Sequence, residues 1–156
     1  MPNQNDQPDP LIVTERVVLY LLDVGAAQAS DSVRVRCGVE IPAGYPLKTG
    51  GYPGLPARAL KRYPEMVRHR CDNGRSLGVR EEFADTEVAH LFEHILIEEY
   101  VRAGVDRRAI AGSTLWNFQA TGWGRYTVRI DGVPAVIDHV EVARNAARSV
   151  GALLVV

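Results

Sequence analysis

The chain has 156 residues, of which 46% are hydrophobic and 24% charged, with a formal net charge of -1. That length suits one domain with a single core, and the composition is that of a globular protein rather than a disordered segment. Near-neutral charge leaves no global field to draw the chain onto nucleic acid or an anionic membrane, so neither is expected as a partner.

Residues 1–10, MPNQNDQPDP, are polar and proline-punctuated, with neither the basic nor the apolar region of a secretory signal. They read as a flexible tail ahead of a single domain spanning 11–156. No apolar run approaches the ~20 residues that cross a bilayer, so a soluble, cytoplasmic protein is expected. Leu11 to Leu22 is dense in Val, Ile, Leu and Tyr and predicts one buried strand. Over Ser32 to Ile41, Val33, Val35, Cys37 and Val39 alternate with polar residues, giving a second strand with Cys37 on its apolar face as a small buried hydrophobe. Pro42 to Pro56, rich in Gly and Pro, predicts a loop. A helix over about Leu55 to Arg68 is broken or kinked at Pro64.

Asp72 to Asp85 reads as polar and irregular, with Asp85 or Thr86 as N-cap of the next helix. That helix, Glu87 to about Ala103 closed by Gly104, is the strongest in the chain: Val88, Leu91, Phe92, Ile95 and Leu96 share one side. A loop near Gly112 precedes a strand over Gly124 to Ile130, where Tyr126, Val128 and Ile130 alternate with polar residues. A last helix runs from about Asp138 to Val150, ending before Gly151, and Leu153 to Val156 predicts a short terminal strand. Strands gathered early and late with helices between them predict an α+β fold, a mixed or mostly antiparallel sheet covered by helices.

The polar side of the long helix carries His90-Leu91-Phe92-Glu93-His94. At ~100° per residue, His94 lies ~40° round from His90 and Glu93 ~60° the other way, so all three share a face. Two histidines at i and i+4 can ligate one zinc ion, while the carboxylate beside them takes a proton from a water on the metal. The order H-x-x-E-H is the inverted form of the commoner H-E-x-x-H. A catalytic zinc normally has three protein ligands. Candidates for the third are Cys71, His69, Glu98 and His139. Cys71 is the choice, because thiolate is a strong zinc ligand and the residue lies in the polar stretch His69-Arg70-Cys71-Asp72-Asn73-Gly74. Glu98, one turn beyond His94, is placed behind the ligands as an acceptor for the ring N–H of a ligating histidine. His139 reads as a surface or cap residue, and Trp116 and Trp123 as packing aromatics. Two imidazoles and a thiolate leave zinc a formal charge of +1, so Glu93 is needed as general base.

The sequence resembles the amino-terminal domain of cyanophycin synthetases over about Pro53 to Val150. The likeness rests on Pro53-Gly54-Leu55, His69 and Cys71, then His90, Glu93, His94 and Glu98, Ala103-Gly104, Gly112-x-Thr114 and Tyr126-x-Val128, in that order. The resemblance implies a metal-dependent module that cuts the aspartate-arginine polymer internally, with a site made of the cysteine, two histidines and the glutamate. It departs after Cys71, which lacks paired glycines and a following aromatic, and at Gly112-Ser113-Thr114-Leu115, which replaces an arginine-bearing stretch. The expectation is a zinc-dependent peptidase or amide hydrolase acting on a peptide or polymer. The alternative is a non-catalytic binding or accessory module stabilised by metal.

Overall fold

The structure, a computed structural model, describes residues 8–26, 31–69, 78–116, 119 and 122–155. Among these, five strands form one sheet: β1 (Pro10–Val13), β2 (Val18–Ala26), β3 (Ser32–Glu40), β4 (Ala111–Trp116) and β5 (Arg125–Pro134). Their order is β1-β2-β3-β5-β4, and each neighbouring pair is antiparallel. Helices α1 (Leu55–Arg62), α2 (Val79–Glu82), α3 (Val88–Arg102) and α4 (His139–Leu153) complete an α+β fold.

Alternation sets the two faces of the sheet. Val35, Cys37 and Val39 stand opposite Ile130, Val128 and Tyr126, and all six are buried. On the other face Arg34 and Arg129 pair with Asp131, and Arg36 with Asp23. This is the apolar-in, polar-out division of an antiparallel sheet with one wet side. Cys37 is a core residue, its thiol pushed up to about 12 by burial. Helix α3 packs on β4 and β5, and α4 packs on β1, β2 and α3.

Several local expectations are corrected. The apolar run predicted as one strand over Leu11 to Leu22 is a hairpin. The Thr14 hydroxyl accepts from Arg16 N and Val17 N, at 3.2 and 3.0 Å, and turns the chain back. The segment near Gly112 is strand β4, not a loop, because β5 pairs with it throughout. Val79 to Glu82, read as irregular, is a short helix. The terminal helix passes through Gly151 to Leu153 in place of the strand expected there. A Cβ at Gly151 would lie 2.7 Å from Ile12 Cδ1, so the glycine serves close approach to β1 rather than helix termination. Pro64 does break the helix, α1 giving way to a 3₁₀ turn over Pro64–Arg68. Trp116 and Trp123, read as packing aromatics, are 57% and 70% exposed and lie outside the core. No helix among the described residues is long and apolar enough to cross a membrane.

The start of α3 also differs. Its N-cap is Glu87, with no side-chain cap bond. The first helical N–H, of Val88, donates instead to Leu47 O at 2.9 Å, so the 42–54 segment caps the helix. Thr49 anchors that segment: wholly buried, its hydroxyl donates to Phe83 O (2.9 Å) and accepts from Thr86 N (3.0 Å). Replacing Thr49 with valine keeps the shape and leaves Phe83 O and Thr86 N without this partner. A loss of about 1–3 kcal/mol is expected in urea unfolding, with unchanged m-value.

Candidate metal centre

The sequence puts His90, Glu93 and His94 on one side of α3, and the fold covers that side. Most of the helix is buried on all sides, including Glu93, His94 and Glu98. The side chains of His94 and Glu93 are 3% and 8% exposed against 18% for His90, so the site opens on the His90 side. One ligating atom from each of the three residues lies within 4.8 Å of the other two. His90 Nε2 and His94 Nε2 are 3.1 Å apart. Two nitrogens each 2.0–2.1 Å from a tetrahedral zinc would stand about 3.3 Å apart, so the pair fits one ion. Glu93 Oε2 is 3.7 Å from His94 Nε2, and its Oε1 accepts from the Thr114 hydroxyl at 2.7 Å. The carboxylate is therefore tethered to the sheet while facing the histidines.

Strand β4 makes room for it. A Cβ at Gly112 would lie 2.9 Å from Glu93 Oε2 and 3.0 Å from its Cγ, closer than side chains tolerate. Gly112 and Thr114, two apart on one strand, share a face, so one supplies space for the carboxylate and the other a donor to it.

Each member is supported by a partner. His90 Nδ1 lies 2.9 Å from the Thr86 hydroxyl, which also reaches Glu82 Oε1 at 3.3 Å. His94 Nδ1 lies 2.6 Å from His69 Nδ1, and His69 Nε2 is 2.5 Å from Glu98 Oε1. Arg107 grips Glu98 with two parallel bonds, of 2.9 and 3.1 Å. The Phe83 ring packs edge-on against both His90 and His94, its centroid 5.9 and 5.1 Å from theirs.

The electrostatics follow from burial. His94 is held well below the ordinary imidazole range by desolvation and then by its histidine neighbours. His90 is lowered for the first of these reasons. Both rings are thus kept neutral, the form that ligates metal. Burial pushes Glu93 up to about 7 against the lowering effect of Thr114, and a cation beside it would draw it down again. Burial also raises Glu98, but the hydrogen bonds from His69 and Arg107 outweigh it and hold the group at about 2.

The expected ligands meet this geometry differently. Cys71 lies outside the described residues. His69 turns one ring nitrogen to His94 and the other to Glu98, so it stands behind the histidine pair. Glu98 meets His69 rather than either motif histidine. His139, expected as a surface or cap residue, is buried, follows the N-cap Asp138 and is bonded to Tyr100 through Nδ1 at 2.8 Å. Sequence reading missed Thr86, Phe83 and Arg107. Thr86 precedes His90 by one helical turn, a spacing that could have pointed to it; the other two are brought in by tertiary packing.

Because Glu98 is depressed from 4.5 to about 2 on folding, its contribution is complete above pH 4.5 and is lost as pH falls toward 2. At 1.36 kcal/mol per unit that contribution is about 3 kcal/mol. Glu98→Gln should lose stability of that order near pH 7, with the gap to wild type narrowing as unfolding is measured down to pH 3. Compared with known proteins, the chain matches no family model and no curated relative.

Proposed function

We propose that the chain is a zinc-dependent amide hydrolase of the peptidase type. The observation that carries this reading is the placement of Glu93. It faces two convergent imidazoles, with one oxygen held by Thr114 and the other 3.7 Å from His94 Nε2, where it can take a proton without being a ligand. A structural metal site needs ligands and no such base.

His90 and His94 would hold the ion through Nε2, with Cys71 proposed as third ligand. Zinc, favoured by imidazole and thiolate donors, would when bound acidify a water and polarise the scissile carbonyl. Glu93 takes the proton of the attacking water as the C–O bond forms, then gives it to the departing amine nitrogen as the C–N bond breaks. Thr114 keeps the carboxylate aimed through both transfers. The proposed substrate is a peptide or peptide polymer. The resemblance to the cyanophycin synthetase amino-terminal domain makes the aspartate-arginine polymer the first to try, since Gly112, Thr114 and His69, three positions of that likeness, lie against the motif. The proposed setting is the cytoplasm, where a Cys71 ligand stays reduced.

Elemental analysis should find one zinc per chain in wild type and loss of it in His90→Ala, His94→Ala and Cys71→Ser. Glu93→Gln should keep the metal and hydrolyse peptides or cyanophycin ~10²–10⁴-fold more slowly. Wild type that takes no zinc when it is supplied, or a Glu93→Gln variant at full rate, would overturn the proposal. Zinc binding without hydrolysis of any peptide would favour the accessory-module reading. Gly112→Ala, which drives a methyl group into the Glu93 carboxylate, should keep zinc and lower the rate by about 10²-fold, the effect of misplacing a reacting group by about 1 Å.

A further inference from the structure

We infer that His69 is a positioning residue that fixes the tautomer of His94, and that Thr86 does the same for His90, so that both imidazoles carry the proton on Nδ1. The inference rests on the metal-binding part of the proposed function and on no step of hydrolysis.

The direction of each hydrogen bond can be followed from its fixed end. Arg107 is donor only, and its Nε and Nη2 occupy both oxygens of Glu98. Glu98 is then an acceptor toward His69 Nε2 at 2.5 Å, so a neutral His69 carries its proton on Nε2 and offers Nδ1 as acceptor. Facing that nitrogen at 2.6 Å is His94 Nδ1, which must be the donor. A neutral His94 is thereby left with Nε2 as its acceptor nitrogen. On the other arm, the Thr86 hydroxyl donates its one proton to Glu82 Oε1 at 3.3 Å, and we assign it the acceptor role toward His90 Nδ1, 2.9 Å away. His90 Nε2 becomes an acceptor as well.

The two chains meet where His90 Nε2 and His94 Nε2 stand 3.1 Å apart. Two acceptor nitrogens at that distance do not bond to each other and can both be directed at one cation. The two arms start from different anchors, Arg107–Glu98 at one end and Glu82 at the other, and arrive at the same polarity. His69, whose two ring nitrogens are both used in this relay, acts through His94 and touches no substrate.

The test is long-range ¹H–¹⁵N NMR of the histidine rings in the full metal-free chain at pH 8, together with zinc affinity from competition with a chelating dye. Wild type should show His90 and His94 protonated on Nδ1. His69→Leu should shift His94 to the Nε2-protonated form and weaken zinc binding ~10–100-fold, the usual cost of losing a partner behind a metal ligand. Thr86→Val should do the same at His90. His69→Gln, whose amide can accept from His94 and donate to Glu98, should restore the wild-type pattern at His94 and most of the affinity. An Nε2-protonated His94 in wild type would overturn the inference, as would a His69→Leu variant with wild-type tautomers and affinity. If His69→Leu does not fold, the wild-type spectrum and His69→Gln decide. Expected tautomers with stoichiometric zinc but no hydrolysis would remove the hydrolase reading alone, whereas undiminished zinc binding in His69→Leu would remove this inference alone.

Discussion

The placement of ionisable side chains inside the domain governs most of what surrounds α3. Glu93, His94 and Glu98 all lie on one helix and are all buried. A buried charge or polar group without a partner costs several kcal/mol. The fold meets this by bringing a partner from a different part of the chain to each: Thr114 from β4 to Glu93, His69 from beyond α1 to His94, Arg107 from beyond the end of α3 to Glu98.

This requirement explains features that look irregular in isolation. Strand β4 opens on Ala111-Gly112, residues with low strand preference, yet it pairs with β5 along its length. Gly112 is the residue whose missing side chain lets the Glu93 carboxylate lie against the strand. The segment Pro42 to Gly54 likewise does structural duty despite its glycines and prolines. Through Leu47 O and Thr49 it closes the N-terminal end of α3 and steadies the turn that carries Phe83 and Thr86 to the histidines.

Support and function are joined at the histidine pair. With both protons on Nδ1, as inferred above, the two imidazoles turn acceptor nitrogens 3.1 Å apart toward one point, an arrangement suited to a shared cation. Metal sites commonly hold their ligands through such partners, and an ion bound under the proposed function would add its binding free energy to the stability of the fold.

The sequence by itself determined the elements whose side-chain period is local. The α3 helix, the faces of β3 and β5 and the break at Pro64 follow from spacing alone, and so does the common face of His90, Glu93 and His94, because three or four residues along a helix return to the same side. Spacing could not reveal the Thr14 turn inside an apolar run, the strand character of β4, or the passage of α4 through Gly151. Each depends on what lies across the fold: a partner strand, or a neighbour close enough to exclude a side chain. The same holds for the residues behind the metal motif. His69, Thr114 and Arg107 are separated from their partners along the chain, and only tertiary packing decides that His69 stands between Glu98 and His94. The motif is written in helical periodicity; its orientation and charge state are set by groups that the fold, and not the local sequence, brings beside it.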